Sequence, residues 1–189
     1  REWHTSAHSG ATNGAPNGFG ALLTGGLGGL GLLTARVIAE VRAPSFIAIL
    51  SRSGVVQRGG ETDWEVLRSC GVHLLCTSGD GAQLADTHAA VRRCAIRRLP
   101  LSVWHMASVF AARTVTNLSL VDLTAMYGPK VVCAQHLHLA TLNGLLLDFH
   151  LCSSAASLMP FYAKGQASYA AANTWLLSFS GSRRRAGTC

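Results

Sequence analysis

A glycine-rich turn near the start of the chain constrains the fold more than any other sequence feature. The segment T-G-G-L-G-G-L-G covers Thr24–Gly31 and lies between two runs of apolar residues. Within it, Gly26, Gly28 and Gly31 fit the spacing G-x-G-x-x-G. The first glycine of such a turn allows a tight bend, the second lets a ligand approach the backbone, and the third lets the helix pack closely. Because apolar runs flank the turn, it predicts a strand, a turn and a helix, and not a flexible linker.

Apolar runs of about five residues alternate with longer amphipathic stretches along the rest of the chain. This alternation is typical of repeated strand–helix units on a parallel sheet. We therefore predict an α/β fold with a doubly wound parallel sheet of the Rossmann type. The predicted strands are Gly20–Thr24, Phe46–Leu50, Val72–Cys76, Leu101–Met106 and Leu145–Cys152, and the predicted helices are Leu30–Val41, Asp63–Ser69, Gln83–Cys94, Leu120–Thr141 and Ser168–Arg185.

The domain boundaries follow from local composition. Residues 1–17 are polar and rich in Gly, Ser, Asn and His, so we expect a linker there and a single domain over 18–189. Five predicted strands are fewer than the usual six of this architecture. We therefore expect the sheet to be incomplete at its C-terminal end, without its last strands.

Composition argues against several classes of protein. Of the 189 residues, 49% are hydrophobic and only 13% are charged, against an average of about 25% charged, so we expect faces that pack against other domains. No stretch approaches the roughly 20 uninterrupted apolar residues of a membrane span. The polar N-terminal segment also does not resemble a signal peptide. These features predict an intracellular, cytoplasmic protein without a membrane span.

The cysteines, histidines and arginines do not indicate a metal or nucleic-acid site. The six cysteines form no C-x-x-C pair, and His136 and His138 are two residues apart, which places them on different sides of a helix. We expect neither disulfides nor a bound metal. The arginine clusters behind the net charge of +7 fall near predicted helix ends, where cations complement the helix dipole. Because no aromatic residues interleave with them, we favour this reading over nucleic-acid binding.

The glycine turn and the end of the second predicted strand together indicate a dinucleotide. Unpaired N–H groups at the start of a helix bind a pyrophosphate. An enzyme that prefers NADH carries an acidic residue after the second strand, about twenty residues further on. Here the sequence is Leu50–Ser53, with Arg52 at that place. Since a guanidinium forms charge-assisted hydrogen bonds with a 2′-phosphate, we predict NADPH as the cofactor.

A tyrosine and an asparagine near the C-terminal end indicate proton-transfer chemistry. Tyr169 and Asn173 are four residues apart in a predicted helix, so they share one side of it. A tyrosine phenol can protonate a developing alkoxide when a nearby cation and hydroxyl donors lower its pKa from about 10. Ser153 and Ser154 end a predicted strand, where ligands gather in open α/β sheets, and Lys130 lies on the preceding predicted helix. These side chains could converge on one site.

Five motifs in the same order relate the chain to a known family. They are Thr24–Gly31, Leu50–Gly54, Pro129–His138 (PKVVCAQHLH), Leu147–Ser154 (LDFHLCSS) and Gly165–Asn173 (GQASYAAAN). With these motifs the sequence resembles the ketoreductase domain of modular polyketide synthases, an extended branch of the short-chain dehydrogenases/reductases. The resemblance runs from about Gly18 to Gly187.

The resemblance implies a catalytic set of four residues. Tyr169 protonates the substrate oxygen, and Ser154 donates a hydrogen bond to the carbonyl. Lys130 and Asn173 orient the tyrosine, the cofactor ribose and a proton-relay water. Lysine and asparagine have exchanged places relative to ordinary short-chain dehydrogenases, which is characteristic of this branch.

The resemblance also implies a cofactor site around the glycine turn. Asp80 matches the acidic residue that contacts the adenine, although Gly81 follows it where valine is common. The implied set is Thr24, Gly26, Leu27, Gly28, Gly29, Leu30, Ser51, Arg52, Asp80 and Ala107.

Three departures from the family pattern stand out, and the first is that the lid helices, which follow in the family, are missing here. Ser154 and Tyr169 are 15 positions apart, more than is usual, so we expect an enlarged loop over Ala155–Lys164 beside the substrate. Ser153 and Lys164 are alternative site residues, which we rank below Ser154 and Lys130. Phe110–Ala112 stands where one stereochemical class has Leu-Asp-Asp, so the configuration of the hydroxyl product stays open.

The expected function follows from the resemblance. It implies NADPH-dependent reduction of the β-keto group of an acyl chain, in polyketide or fatty acid synthesis. The partners are then an acyl carrier protein, which carries the chain on phosphopantetheine, and other domains of a megasynthase. Two alternatives remain: a non-catalytic remnant that keeps the fold as an interaction module, and a stand-alone dehydrogenase for a small alcohol.

Overall fold

One parallel sheet with helices on both faces forms the body of the molecule. The computed structural model describes residues 18–110, 113–158 and 165–188. The strands are β1 (Gly20–Thr24), β2 (Phe46–Ser51), β3 (His73–Ser78), β4 (Leu101–His105) and β5 (Leu146–Leu151). They pair in the order β3-β2-β1-β4-β5, and every pair is parallel. The predicted fold class is confirmed.

The helices connect successive strands. They are α1 (Gly29–Arg42), α2 (Glu61–Ser69), α3 (Leu84–Ala95), α4 (Leu120–Tyr127), α5 (Cys133–Thr141) and α6 (Ala167–Arg185). A π-helical segment, Gly128–Val132, joins α4 to α5, and short 3₁₀ turns cover Val115–Asn117 and Ala155–Ser157. Helices α1 and α2 pack on one face of the sheet, and α3 and α5 pack on the other.

The central strands are apolar because both of their faces are covered. Successive side chains of a strand point to opposite faces of the sheet. Leu22 therefore joins the core beneath α3 and α5, whereas Ala21 and Leu23 join the core beneath α1 and α2. All three side chains are fully buried. A strand buried on both faces reads as a continuous apolar run, which is why the sequence predicts β1 to the residue.

The prediction of one uninterrupted helix over Leu120–Thr141 is wrong. The segment is helical throughout, but the backbone widens into the π-helical segment between α4 and α5. Pro129 lies in this segment, and proline lacks an N–H and crowds the carbonyl four residues before it. The wider turn, in which the Cys133 N–H donates to the Gly128 carbonyl, relieves that conflict. The Gly-Pro dipeptide was the available signal.

The other predicted boundaries are either correct, as for both ends of β1, or wrong by one or two residues. Strand β4 ends at His105 and not at Met106, and α2 begins at Glu61 and not at Asp63. Such errors are expected, because helix and strand ends fray and carry the weakest pattern. The predicted linker over residues 1–17 lies outside the described residues.

The strand order reverses beside β1, and this places the site. The chain runs from β1 through β2 to β3 at one edge, then returns to β4 on the other side of β1. In open α/β sheets, ligands bind at the carboxyl ends of the strands at such a reversal. Thr24 and His105, the last residues of β1 and β4, stand side by side in the register. None of the helices in the described ranges is long and apolar enough to span a lipid bilayer.

Candidate active site

A cleft of about 630 Å³ opens at the carboxyl ends of the strands. Its wall includes residues that follow each of the five strands, together with the π-helical segment and the first turn of α6. The predicted site residues that line it are Thr24, Leu27, Gly28, Gly29, Leu30, Ser51, Arg52, Asp80, Ala107, Lys130 and Tyr169. Three other predicted residues, Gly26, Ser154 and Asn173, do not line its described part.

The glycine turn presents unpaired backbone donors to the cleft. Gly28 is the extended residue before α1, and no side chain caps the first helical turn, which also carries no acidic residue. The N–H groups of that turn are therefore available to an anion, which the partial positive charge of the helix terminus also favours. A Cβ added to Gly29 would meet nothing within 4 Å. The turn thus has both the donors and the space for a pyrophosphate.

Close packing explains the other glycines of the turn. A Cβ on Gly31 would lie 2.2 Å from the carbonyl oxygen of Gly25, so the helix rests directly on the turn. A Cβ on Gly26 would lie 3.0 Å from the Ile49 side chain, so this glycine faces the sheet. Sequence reasoning missed Gly25, which has a φ of +70° and passes against the backbone of Ala107. Its only signal was that Gly25 is a further glycine directly before the first glycine of the G-x-G-x-x-G spacing.

Arg52 and Asp80 extend the cleft beyond the turn. Arg52 follows β2 with an exposed side chain, and its guanidinium has no acidic partner among the described residues. Ser78, at the end of β3, donates a hydrogen bond of 3.3 Å to the Arg52 carbonyl. Asp80 accepts a hydrogen bond of 3.0 Å from the Ala82 N–H through Oδ1, which fixes the turn before α3. A guanidinium without a carboxylate partner suits a phosphate.

Lys130 and Tyr169 meet at the opposite wall of the cleft. Lys130 is 3% exposed, and its Nζ donates a hydrogen bond of 3.0 Å to the Cys152 carbonyl. The same Nζ lies 5.6 Å from the centre of the Tyr169 ring. Burial lowers the pKa of the Lys130 ammonium, whereas Tyr169 and Cys152 act in the opposite direction. A buried cation beside a phenol stabilises the phenolate that proton donation leaves behind.

The remaining predicted catalytic residues lie around this pair. Asn173 is fully buried, and its Nδ2 donates a hydrogen bond of 2.8 Å to the Tyr169 carbonyl. Its Oδ1 has no hydrogen-bond partner within the described part of the chain. Ser154 Oγ accepts the Ala156 N–H at 3.3 Å and so caps its own turn. Ser153, the lower-ranked serine, lines the cleft and donates a hydrogen bond of 3.2 Å to the Asn173 carbonyl.

Two residues without a predicted role also contact Lys130. They are Cys152, whose carbonyl accepts the hydrogen bond of the ammonium, and His105, whose Nε2 lies 2.8 Å from the Lys130 carbonyl. A backbone contact leaves no trace in residue type, so the sequence gives no signal for Cys152. His105 is the last residue of β4, and its place near the carboxyl end of a predicted strand was its signal.

Some predictions fall on residues that the structure does not describe. The lower-ranked Lys164 lies outside the described residues, as do Ala111 and Ala112 and positions 159–164 of the expected loop. Within the described ranges, no group of three or more His, Cys, Asp or Glu side chains could hold a metal ion.

Comparison with known proteins identifies the family. A family model described as "KR domain" matches residues 20–189. The chain belongs to the KR, or ketoreductase, domain family. Ketoreductases of polyketide synthases are oxidoreductases, and their family uses a nicotinamide cofactor.

Relatives of this ketoreductase chain include two large synthases. It is 38% identical over 164 residues to a mycocerosic acid synthase-like polyketide synthase of Mycobacterium tuberculosis, across 86% of this chain and 8% of that protein. It is 37% identical over 166 residues to the hybrid PKS-NRPS synthetase pynA of Aspergillus niger, across 88% of this chain and 4% of that protein. The chain therefore spans less than a tenth of the length of these relatives.

A solved ketoreductase has the same architecture. The ketoreductase from the first module of phoslactomycin biosynthesis in a Streptomyces species superposes with a TM-score of 0.80 and 30% identity. The match covers 93% of this chain and 40% of that chain. The family and fold class predicted from the five motifs are thus confirmed.

Proposed function

We propose that this ketoreductase domain uses NADPH to reduce the β-carbonyl of an acyl chain that an acyl carrier protein holds through phosphopantetheine. One observation carries the proposal. A single cleft has an anion-binding glycine turn with an exposed arginine on one side and a buried lysine–tyrosine pair on the other. The first half suits a phosphorylated dinucleotide, and the second suits proton donation to a carbonyl oxygen.

Bound in this cleft, NADPH would supply the hydride for the substrate carbonyl carbon. The N–H groups at the start of α1 would hold its pyrophosphate, Arg52 its 2′-phosphate, and Asp80 its adenine. The remaining members of the proposed cofactor set are Gly26, which packs on the sheet beneath the turn, and the residues that line the cleft: Thr24, Leu27, Gly28, Gly29, Leu30, Ser51 and Ala107.

Tyr169 gives its phenol proton to the substrate oxygen as negative charge develops there. The Lys130 ammonium stabilises the phenolate that remains, and Ser154 donates a hydrogen bond to the same substrate oxygen. Asn173 holds the water through which the proton is replaced. The buried, unpartnered Oδ1 of Asn173 supports this last role, because buried polar atoms in proteins usually bind a partner or an ordered water.

The relatives support the choice of substrate. One of them is named a mycocerosic acid synthase-like polyketide synthase and another a hybrid PKS-NRPS synthetase. The low fraction of charged residues supports a domain that packs against neighbours in the same assembly. The proposed partners are therefore the acyl carrier protein and the other domains of a megasynthase.

The decisive experiment is incubation of the protein with NADPH and a β-ketoacyl thioester of a pantetheine analogue. We expect loss of NADPH absorbance and formation of the β-hydroxyacyl thioester, detected by mass spectrometry, with Tyr169→Phe as the matched inactive control. Tight NADPH binding without turnover between pH 6 and 8 would favour a non-catalytic module. Equal or faster reduction of a free ketone would favour a stand-alone dehydrogenase.

A further inference from the structure

His105 is a buried histidine to which the proposed reaction assigns no role. It is the last residue of β4 and is 1% exposed. Both ring nitrogens are engaged: Nδ1 lies 2.8 Å from the Thr24 hydroxyl, and Nε2 lies 2.8 Å from the Lys130 carbonyl oxygen. One imidazole therefore connects the end of β1, where the glycine turn begins, with the backbone of the buried lysine.

The chemistry of the two partners fixes the tautomer. A carbonyl oxygen can only accept, so Nε2 carries the proton and donates to Lys130. Nδ1 is then an acceptor and receives a hydrogen bond from the Thr24 hydroxyl. The Thr24 oxygen in turn accepts the Ala107 N–H at 3.4 Å. Burial lowers the pKa of His105 to about 4, so the neutral ring that this network requires is present at neutral pH.

The backbone held by His105 is the unusual part of its helix. Lys130 lies in the π-helical segment, where the four-residue hydrogen-bond spacing is interrupted. A π-helical turn lacks the regular packing that fixes an α-helix in register, and such turns are frequent at functional sites. The carbonyl that accepts from His105 belongs to the residue whose ammonium faces Tyr169 and the Cys152 carbonyl.

We propose that His105 is a positioning residue, which holds the Lys130 backbone in register with the glycine turn and so sets the ammonium beside Tyr169. The inference rests on the proposed function for its kinetic consequences, but not for its structural content. In the proposed reaction, His105 touches neither substrate nor cofactor and acts only through Lys130 and Thr24.

A matched pair of variants isolates the contact with Lys130. The amide nitrogen of Gln in His105→Gln can reach the place of Nε2 and donate to the Lys130 carbonyl. The shorter Asn in His105→Asn can accept from Thr24 at the place of Nδ1 but does not reach Lys130. We expect His105→Asn to lower kcat by about 100-fold, the cost of a small misplacement at a reacting centre, with KM for NADPH within about threefold. His105→Gln retains most of the activity.

The pH profile separates positioning from a general loss of folded protein. In the reverse direction, the rate of alcohol oxidation rises with pH, because the catalytic base must be deprotonated before it can accept the proton of the alcohol, and Lys130 is the cation beside that base. The titratable groups that face Lys130 are Tyr169 and Cys152, with His105 behind its backbone. We expect the midpoint of the rise to move to higher pH in His105→Asn and to stay in place in His105→Gln. Equal losses in both variants, or an unmoved midpoint, overturn the proposal.

A spectroscopic test does not depend on activity. Long-range proton–nitrogen NMR correlations report which ring nitrogen of His105 carries the proton. We expect Nε2–H at all pH values above about 5, since the pKa of His105 is held near 4. A proton on Nδ1, or titration near the ordinary histidine value of about 6.5, refutes the inference even in a protein without reductase activity. If the wild-type protein keeps the expected tautomer but reduces no β-ketoacyl thioester, only the proposed function fails.

Discussion

The two walls of the cleft are formed by different kinds of chemical group. The centre of the cofactor wall is a run of eight consecutive residues, Thr24–Gly31, which contributes mainly backbone N–H groups and the space left by absent side chains, and Arg52 and Asp80 extend it. The proton-transfer wall takes side chains from separate parts of the chain: Lys130 comes from the π-helical segment and Tyr169 from α6, and the proposed hydrogen-bond donor Ser154 follows β5. One wall is local in sequence, and the other exists only once the sheet has formed.

This difference determines which changes each wall tolerates. The cofactor wall fails when an atom is added at Gly25 or Gly31, because a Cβ there would lie 2.8 Å and 2.2 Å from backbone atoms. The proton-transfer wall fails when an atom is removed, because its chemistry resides in single hydroxyl, phenol and ammonium groups. Substitutions that add or delete one group therefore probe the two walls separately.

The largest effect is expected from Tyr169→Phe, which deletes the phenol oxygen and keeps the ring. General acid catalysis by a positioned side chain contributes about 10²- to 10⁴-fold, so we expect kcat to fall by about 10³-fold. NADPH affinity should stay within about threefold, since the phenol gives its proton mainly in the transition state. Single-turnover reduction and fluorescence titration measure the two quantities. A fall in affinity that matches the fall in kcat would contradict the assignment.

The proton-transfer wall was also the harder one to predict from sequence. The motifs gave Lys130 and Tyr169, and both line the cleft. The motifs did not predict the π-helical segment that carries Lys130, because one wider turn is not distinguishable in the apolar pattern of the helix. Only Pro129 indicated an irregular turn there. Nor could the motifs give the contact between Lys130 and the Cys152 carbonyl, since any residue has a carbonyl.

The cofactor wall was predictable because its physics is local. A position that has no room for a side chain is occupied by glycine, which is visible in the sequence. The apolar runs on either side of the glycines predict the strand β1 and the helix α1. Even here, Gly25 was missed, because its positive φ and its contact with Ala107 depend on the approach of β4. The register between strands distant in sequence is the information that local pattern lacks.

The two serines after β5 offer the next largest effect. The motif assigns the hydrogen bond on the substrate oxygen to Ser154, whereas Ser153 is the serine that lines the described cleft. Removal of one oxyanion donor costs about 10²- to 10³-fold in kcat, so we expect a loss near 10² for Ser154→Ala and only a few-fold loss for Ser153→Ala. Steady-state kinetics on both variants, with circular dichroism as a folding control, compare them directly. The reverse ranking would transfer the role to Ser153.

Added atoms test the cofactor wall through stability. A Cβ in Gly31→Ala would lie 2.2 Å from the Gly25 carbonyl oxygen, whereas a Cβ in Gly29→Ala meets nothing within 4 Å. Overpacking costs about 1–3 kcal/mol, so we expect a loss of that size in the free energy of unfolding for Gly31→Ala. Gly29→Ala should be neutral or slightly stabilising, because alanine is the better helix former. Urea unfolding without cofactor measures both, and equal stability of the two variants would show that the turn relaxes at little cost.

The smallest effect is expected from Arg52→Ala. This variant tests whether the cofactor wall uses a side chain, and not only its backbone, to distinguish NADPH from NADH. Its guanidinium is exposed and has no acidic partner among the described residues, so solvent weakens any contact it makes. We therefore expect the Kd for NADPH to rise about tenfold, at the low end for a hydrogen bond to a charged group. The Kd for NADH should change less than twofold, since NADH lacks the 2′-phosphate.

The matched control is Arg58→Ala, because Arg58 is also exposed but does not line the cleft. Calorimetric titration with both cofactors gives the ratio that matters: a selective loss for NADPH assigns the 2′-phosphate to Arg52. Equal losses for NADPH and NADH would instead mean that the backbone turn carries the whole of cofactor recognition.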